Sequence, residues 1–230
     1  MPEPDVETTA SVLRSTRIAV LASFAIMGTE VRRESGARNF PWPLMLLGIL
    51  ALCGALTEGA VGDWSGIYLS SDLHLNTGIA ASGFTVFSFS VAVGRAIGDR
   101  LTRRFGPIWV VRSGALLAAL GLGIALITQN PVTGVLGFAS MGVGLSCLVP
   151  QTMTATGNID AAYSGANIAR VGALSTVGNL LGPVLIGAIA AEASLPKALW
   201  VPVGLSIMVA IFANAVGPAG KQLPTGGQRN

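Results

Sequence analysis

The sequence predicts an all-α polytopic membrane protein with six transmembrane helices. Three observations predict it: a shortage of charge, six long apolar runs, and a one-sided distribution of lysine and arginine. Only 11 % of the 230 residues are charged and 51 % are hydrophobic, whereas a soluble domain carries about 25 % charged residues. A soluble fold of this size would lack the polar surface to cover itself, so lipid is the implied solvent. Thirty glycines point the same way, because glycine is commoner in membrane helices and lets them approach closely.

A hydrocarbon core of ~30 Å takes about 20 helical residues to cross. Six runs reach that length, at 43–61, 77–97, 109–128, 132–153, 171–191 and 198–216. The last three carry no charge. The first contains Glu58, the second ends near Arg95 and the third starts near Arg112. Runs of this kind are not strands, since open sheet edges cannot sit in lipid and outer-membrane strands are shorter and alternate.

Orientation follows from the loops. With residues 1–42 on the cytoplasmic side, that face collects Arg14, Arg17, Arg32, Arg33 and Arg38. It also collects Arg95, Arg100, Arg103, Arg104, Arg112, Arg170, Lys221 and Arg229, while the opposite face receives only Lys197. A multi-pass protein of the cell (inner) membrane with both ends cytoplasmic is therefore expected. The apolar stretch 18–27 would reach only ~15 Å as a helix, so residues 1–42 are read as a poorly ordered or linker-like N-terminal segment. Residues 43–216 form the transmembrane domain, and 217–230 read as a disordered cytoplasmic tail. The short connection at 128–131 makes spans three and four antiparallel neighbours, and the inner loop at 154–170 carries Asp160.

Several chemistries are excluded. Cys53 and Cys147 lie in apolar runs and read as small buried hydrophobes. With His74 the only histidine and no paired-cysteine spacing, neither metal nor cofactor is expected. His74 falls in an outer loop, and no serine- or zinc-protease pattern accompanies it, which argues against an intramembrane enzyme. No nucleotide-binding loop is present. The arginines cluster at helix ends as topology requires, which argues against nucleic acid.

The most informative stretch is GRAIGDRLTRRFGP, residues 94–107, on the cytoplasmic turn between spans two and three. Asp99 stands among arginines where topology asks only for positive charge. Such a cluster can act as a latch that breaks when helices move. Gly94 and Gly98 would let a neighbouring helix approach closely, and Arg100, Arg103 and Arg104 complete the candidate gate.

Glu58 is placed about 15 residues into the first span, in the outer half of the membrane, where an ionised carboxylate is costly. A carboxylate kept there commonly binds a proton, an ion or a polar substrate; the alternative is an acid satisfied by a neighbouring helix. Asp63 either gates the cavity mouth or is simply solvated. Trp64 and Tyr68 fit an interfacial aromatic belt. Asn179 sits mid-span and needs partners, with a helix-to-helix bond favoured over a substrate contact. Pro183 is expected to bend span five. Gln151, beside Pro150, either lines the cavity or ends a helix at the interface. Gly178 and Gly182 form a close-packing GxxxG pair.

The run GRAIGDRLTRRFGP resembles the signature loop of the major facilitator superfamily of transporters, G-x-x-x-D-R-x-x-R-R, with the glycine displaced to Gly94 and Arg95 in its place. Residues 58–69, EGAVGDWSGIYL, resemble the seventh helix of sugar-permease-like (fucose-permease-like) members, and GNLLGP at 178–183 is similar to their eleventh. In this order they make residues 41–216 resemble the C-terminal six-helix half of a twelve-helix bundle. The resemblance implies transport of a small, sugar-like or otherwise polar solute held between two halves near the midplane. Protons would be the coupling ion and Glu58 the coupling acid. The partners implied are the lipid bilayer, a small-molecule substrate, and a second six-helix half or a homodimer. A truncated, non-transporting fragment or assembly partner is the alternative.

Overall fold

A computed structural model describes residues 42–80 and 82–217. All regular structure among the described residues is helical. Six stretches of the described residues are long and apolar enough to cross a membrane: Trp42–Asp72, Gly78–Phe105, Pro107–Thr128, Pro131–Gly157, Ser164–Glu192 and Leu195–Val216, spans one to six below. The six-helix class thus agrees with the sequence expectation. The N-terminal segment expected over 1–42, with its stretch at 18–27, and the tail expected over 217–230 lie outside the described residues but for their innermost positions.

The span boundaries differ from the apolar runs in physically interpretable ways. Span one continues past residue 61 as an α-helix to Ile67 and ends in a π-helical turn, Tyr68–Asp72. The serines and aspartates of this stretch lower its hydropathy, but it contains no proline, and Ser65, Tyr68 and Leu69 are fully buried. Packing holds the helix together where composition alone ends it. The inner loop expected at 154–170 shrinks to a short connection. There the Asp160 carboxylate accepts from the Ala162 N–H at 3.0 Å, capping the turn Ala161–Tyr163.

Span four, where Pro150 is expected to act near the cytoplasmic end as Pro183 does in span five, breaks into two helices. Helices Pro131–Leu145 and Leu148–Gly157 meet at a turn formed by Ser146 and Cys147. The cause is Pro150, which has no N–H for the Ser146 carbonyl four residues back and whose ring crowds it. Pro183 imposes the same deficit on Asn179, yet span five stays one helix, Ser164–Glu192.

Span one is the most buried of the six, whereas spans two and five are the least. Toward one end Ala60, Val61, Tyr68 and Leu69 pack on Leu122, Phe138, Met141 and Leu199 of spans three, four and six. Toward the other, Leu47, Leu50 and Cys53 meet Val111, Ala115, Val209 and Ala210. Span five lies along span one. A Cβ on Gly178 or Gly182 would run into the Leu52 or Leu56 carbonyl, so the GxxxG pair serves close backbone packing. The turn from span two into span three needs Gly106 at φ 84°, followed by Pro107 in the first helical turn.

Arg112, in the first turns of span three, reaches across to the end of span six. Its Nε donates to the Ala210 carbonyl at 3.2 Å and its Nη2 to Asn214 Oδ1 at 3.0 Å. A cation there meets the carbonyl end of the helix, where the dipole favours it.

Candidate functional site

The polar residues of the apolar spans converge at mid-length. Glu58 is the seventeenth residue of the 31 in span one, and Asn179 the sixteenth of the 29 in span five. The extra turns beyond residue 61 put Glu58 at the middle of this helix by residue count. Glu58, Asp63, Phe84, Phe87, Arg95 and Asn179 line one cavity of about 400 Å³ between spans one, two and five. It lies against the two least-buried spans.

Arg95 holds the cavity together. Its Nη2 lies 3.7 Å from Glu58 Oε1, so the acid is paired with a cation from span two. Its Nε donates to the Ser146 carbonyl at 3.5 Å, the carbonyl that Pro150 leaves without a helical donor. One guanidinium thus touches span one and the break in span four. From sequence Arg95 is a topological charge at the end of its span. Two signals mark it: it sits mid-span once the helix runs from Gly78 to Phe105, and it stands where the signature loop has glycine.

The displaced glycine has a structural reason. Gly94 and Gly98 fall one helical turn apart on a buried face, where a Cβ would overlap the Ser146 hydroxyl and the Cys147 thiol respectively. The Cys147 thiol itself lies 3.7 Å from the Gly94 carbonyl. With Gly94 on that face, residue 95 turns toward Glu58. Asp99, one turn farther on, is exposed and makes no ion pair among the described residues. Arg100, Arg103 and Arg104 are exposed beside it, with the Arg104 guanidinium 5.3 Å from the centre of the Phe105 ring. The latch expected of Asp99 therefore has no second member within the described residues.

Other expectations are corrected. The Asn179 side chain is exposed on the cavity wall and makes no helix-to-helix bond among the described residues; the close contact belongs to its backbone carbonyl, which Pro183 frees and Gly59 approaches. Gln151 neither lines this cavity nor ends a helix, because its Nε2 donates to Thr102 Oγ1 at 3.0 Å and ties span four to span two. Tyr68 is no belt residue: it is fully buried, edge-on to Phe138 at 6.0 Å. Trp64 is half-buried, its indole N–H donating to the Pro183 carbonyl at 3.0 Å. Neither ring position was legible, because the burial of a helical aromatic depends on which face its neighbours cover. Asp63 is exposed within the cavity.

The comparisons with known proteins agree with this architecture. The Major Facilitator Superfamily family model matches residues 47–227. An MFS-type transporter of Yersinia pestis is 32 % identical over 173 residues, covering 75 % of this chain and 45 % of that protein. A transporter of Sinorhizobium fredii is 30 % identical over 183 residues, covering 78 % and 48 %. The membrane protein MosC of Rhizobium meliloti is 28 % identical over 167 residues, covering 73 % and 41 %. The chain spans about half the length of the curated relatives it matches. On the family match and the six-span helical architecture together, this chain is a multi-pass membrane protein of the Major Facilitator Superfamily.

Proposed function

We propose that this chain serves as the C-terminal half of a secondary transporter, moving a small polar solute with protons through a cavity closed by a second six-span half. One observation carries the reading: a carboxylate, a guanidinium and an amide from three spans share one cavity at mid-span depth. Ionisable groups at that depth are costly and characteristically mark solute or ion pathways. Glu58 is the coupling acid, Arg95 its counter-charge, and Asn179 and Asp63 are solute contacts. The cluster of Asp99 with Arg100, Arg103 and Arg104 at the end of span two forms the inner gate, with its second member on the other half. Both chain ends are cytoplasmic, because the arginine-bearing turns then lie inside.

The test is uptake of a panel of radiolabelled monosaccharides and polyols into liposomes. They hold this chain with a co-expressed six-span partner under an imposed pH gradient. Uptake driven by the gradient, abolished in Glu58→Gln, is the expected result. Gradient-dependent uptake unchanged in that variant removes Glu58 from the coupling role.

A second reading is favoured by the open faces of spans two and five, where Phe84, Phe89, Leu180 and Val184 are each more than half exposed. On that reading the chain acts as an assembly partner and does not itself transport, and those faces are covered by another membrane protein or a second copy. Cysteine cross-linking in native membranes between Phe89→Cys and Leu180→Cys separates a self-pair from a hetero-pair.

A further inference from the structure

The side chain of Arg95 touches both the cavity and the break in span four. Resting on the proposed coupling role of Glu58, we infer that Arg95 is a positioning residue that carries the charge state of Glu58 to the break at Ser146 and Cys147. Three observations support this. Pro150 deprives the Ser146 carbonyl of its helical donor, and Arg95 Nε occupies that place at 3.5 Å. The same guanidinium is held over the break by Glu58, 3.7 Å away. The break itself is seated against span two with no slack, since Gly94 and Gly98 have no room for a Cβ beneath Ser146 and Cys147.

The charged groups facing Glu58 in the cavity are Arg95 from span two and Asp63 from its own span, and span five contributes only the neutral amide of Asn179. With Glu58 ionised, Arg95 is drawn toward it and bridges to the Ser146 carbonyl. With Glu58 neutral that attraction ends, and the arginine, half-exposed already, leaves the carbonyl uncovered. An uncovered carbonyl weakens the contact that seats the break on span two. The two short helices of span four then move apart more readily. Proton arrival on span one thereby loosens span four at its break.

Cys147 reports this directly. It lies at the break, is 8 % exposed, and is the only thiol once Cys53 is replaced by alanine. The experiment measures its labelling rate by N-ethylmaleimide on the purified full chain in detergent. Every variant is compared with the parent over a pH series carried to the labelling plateau, so that differences in thiolate fraction are removed. Arg95→Gln and Glu58→Gln should each raise the rate by about fivefold, what loss of one net hydrogen bond gives. The double variant should do no more than either alone.

Arg95→Lys carries the test if the glutamine variant does not fold. A lysine keeps the charge but cannot bridge two acceptors with a planar fork, so it too should label fast. Pro150→Ala restores an N–H to the Ser146 carbonyl. In that background Arg95→Gln should leave the rate unchanged. Parent-like labelling of both Arg95 variants, or an undiminished Arg95 effect in the Pro150→Ala chain, overturns the inference. Labelling needs no solute, so these outcomes stand apart from the uptake assay: no gradient-driven uptake by the parent, or uptake unchanged in Glu58→Gln, with the expected labelling behaviour fails the transport reading alone.

Discussion

Replacing Gly178 by alanine tests the packing that sets the width of the cavity. A Cβ at residue 178 would lie 2.5 Å from the Leu52 carbonyl oxygen and 3.2 Å from both its carbon and Cα. All three are backbone atoms of span one and cannot rotate aside. Ordinary contact begins near 3.4 Å, so span five must retreat by about 0.9 Å, the difference between those distances. A gap of that size forfeits roughly a quarter to a half of each dispersion contact it opens, and over-packing in a tight interface costs about 1–3 kcal/mol. Gly204→Ala in span six is the matched control: nothing stands within 4 Å of a Cβ there, and alanine is the better helix former by up to about 1 kcal/mol. The assay is reversible unfolding in mixed detergent–SDS micelles, followed by fluorescence of the four tryptophans. Gly178→Ala should lose 1–3 kcal/mol, about the over-packing range, while Gly204→Ala loses nothing. A Gly178→Ala chain as stable as its parent, or equal losses at both sites, would refute the reasoning.

Three further outcomes follow from the same contacts. Arg112→Ala should destabilise by ~0.6–1.7 kcal/mol, from the average to the largest value for side-chain hydrogen bonds between membrane helices. Asn214→Ala should remove part of the same amount, so that a double-mutant cycle shows coupling. Trp64→Phe should cost ~0.6–1.7 kcal/mol through loss of the indole bond to the Pro183 carbonyl, whereas Trp109→Phe, at an exposed ring, should cost less in the same unfolding assay. Reporter fusions after Arg104 and after Gln129 should fall in opposite compartments, the arginine turn inside; the same compartment for both would overturn the six-span order.

The bilayer explains how much could be read without coordinates. Length and hydropathy identify spans because lipid offers no partner for backbone groups, so any apolar run of about 20 residues has one low-energy form. That accounts for all six helices, and the glycine pairs at 94/98 and 178/182 were legible because close packing has few other uses for such spacing. Ends and breaks were not. Span one continues beyond its apolar run because Ser65 and Tyr68 are buried by other helices, and hydropathy takes no account of neighbours. Pro150 was visible, but whether a proline splits its helix, as there, or is carried within it, as at Pro183, depends on what meets the freed carbonyl: an arginine in one case and a glycine face in the other.

For the site, Glu58 and Asn179 stood out from sequence because a polar side chain in an apolar helix has to be accounted for energetically. Composition and spacing alone determined the class of protein, the six spans among the described residues and an acid that lines the cavity. The tertiary structure decided that Asn179 opens onto that cavity, that Gln151 and Trp64 tie helices together, and that Arg95 reaches both Glu58 and Ser146. The reason is rotational: one residue of register turns a helical side chain by about 100°, and only the packing of the neighbouring spans determines which direction is inward.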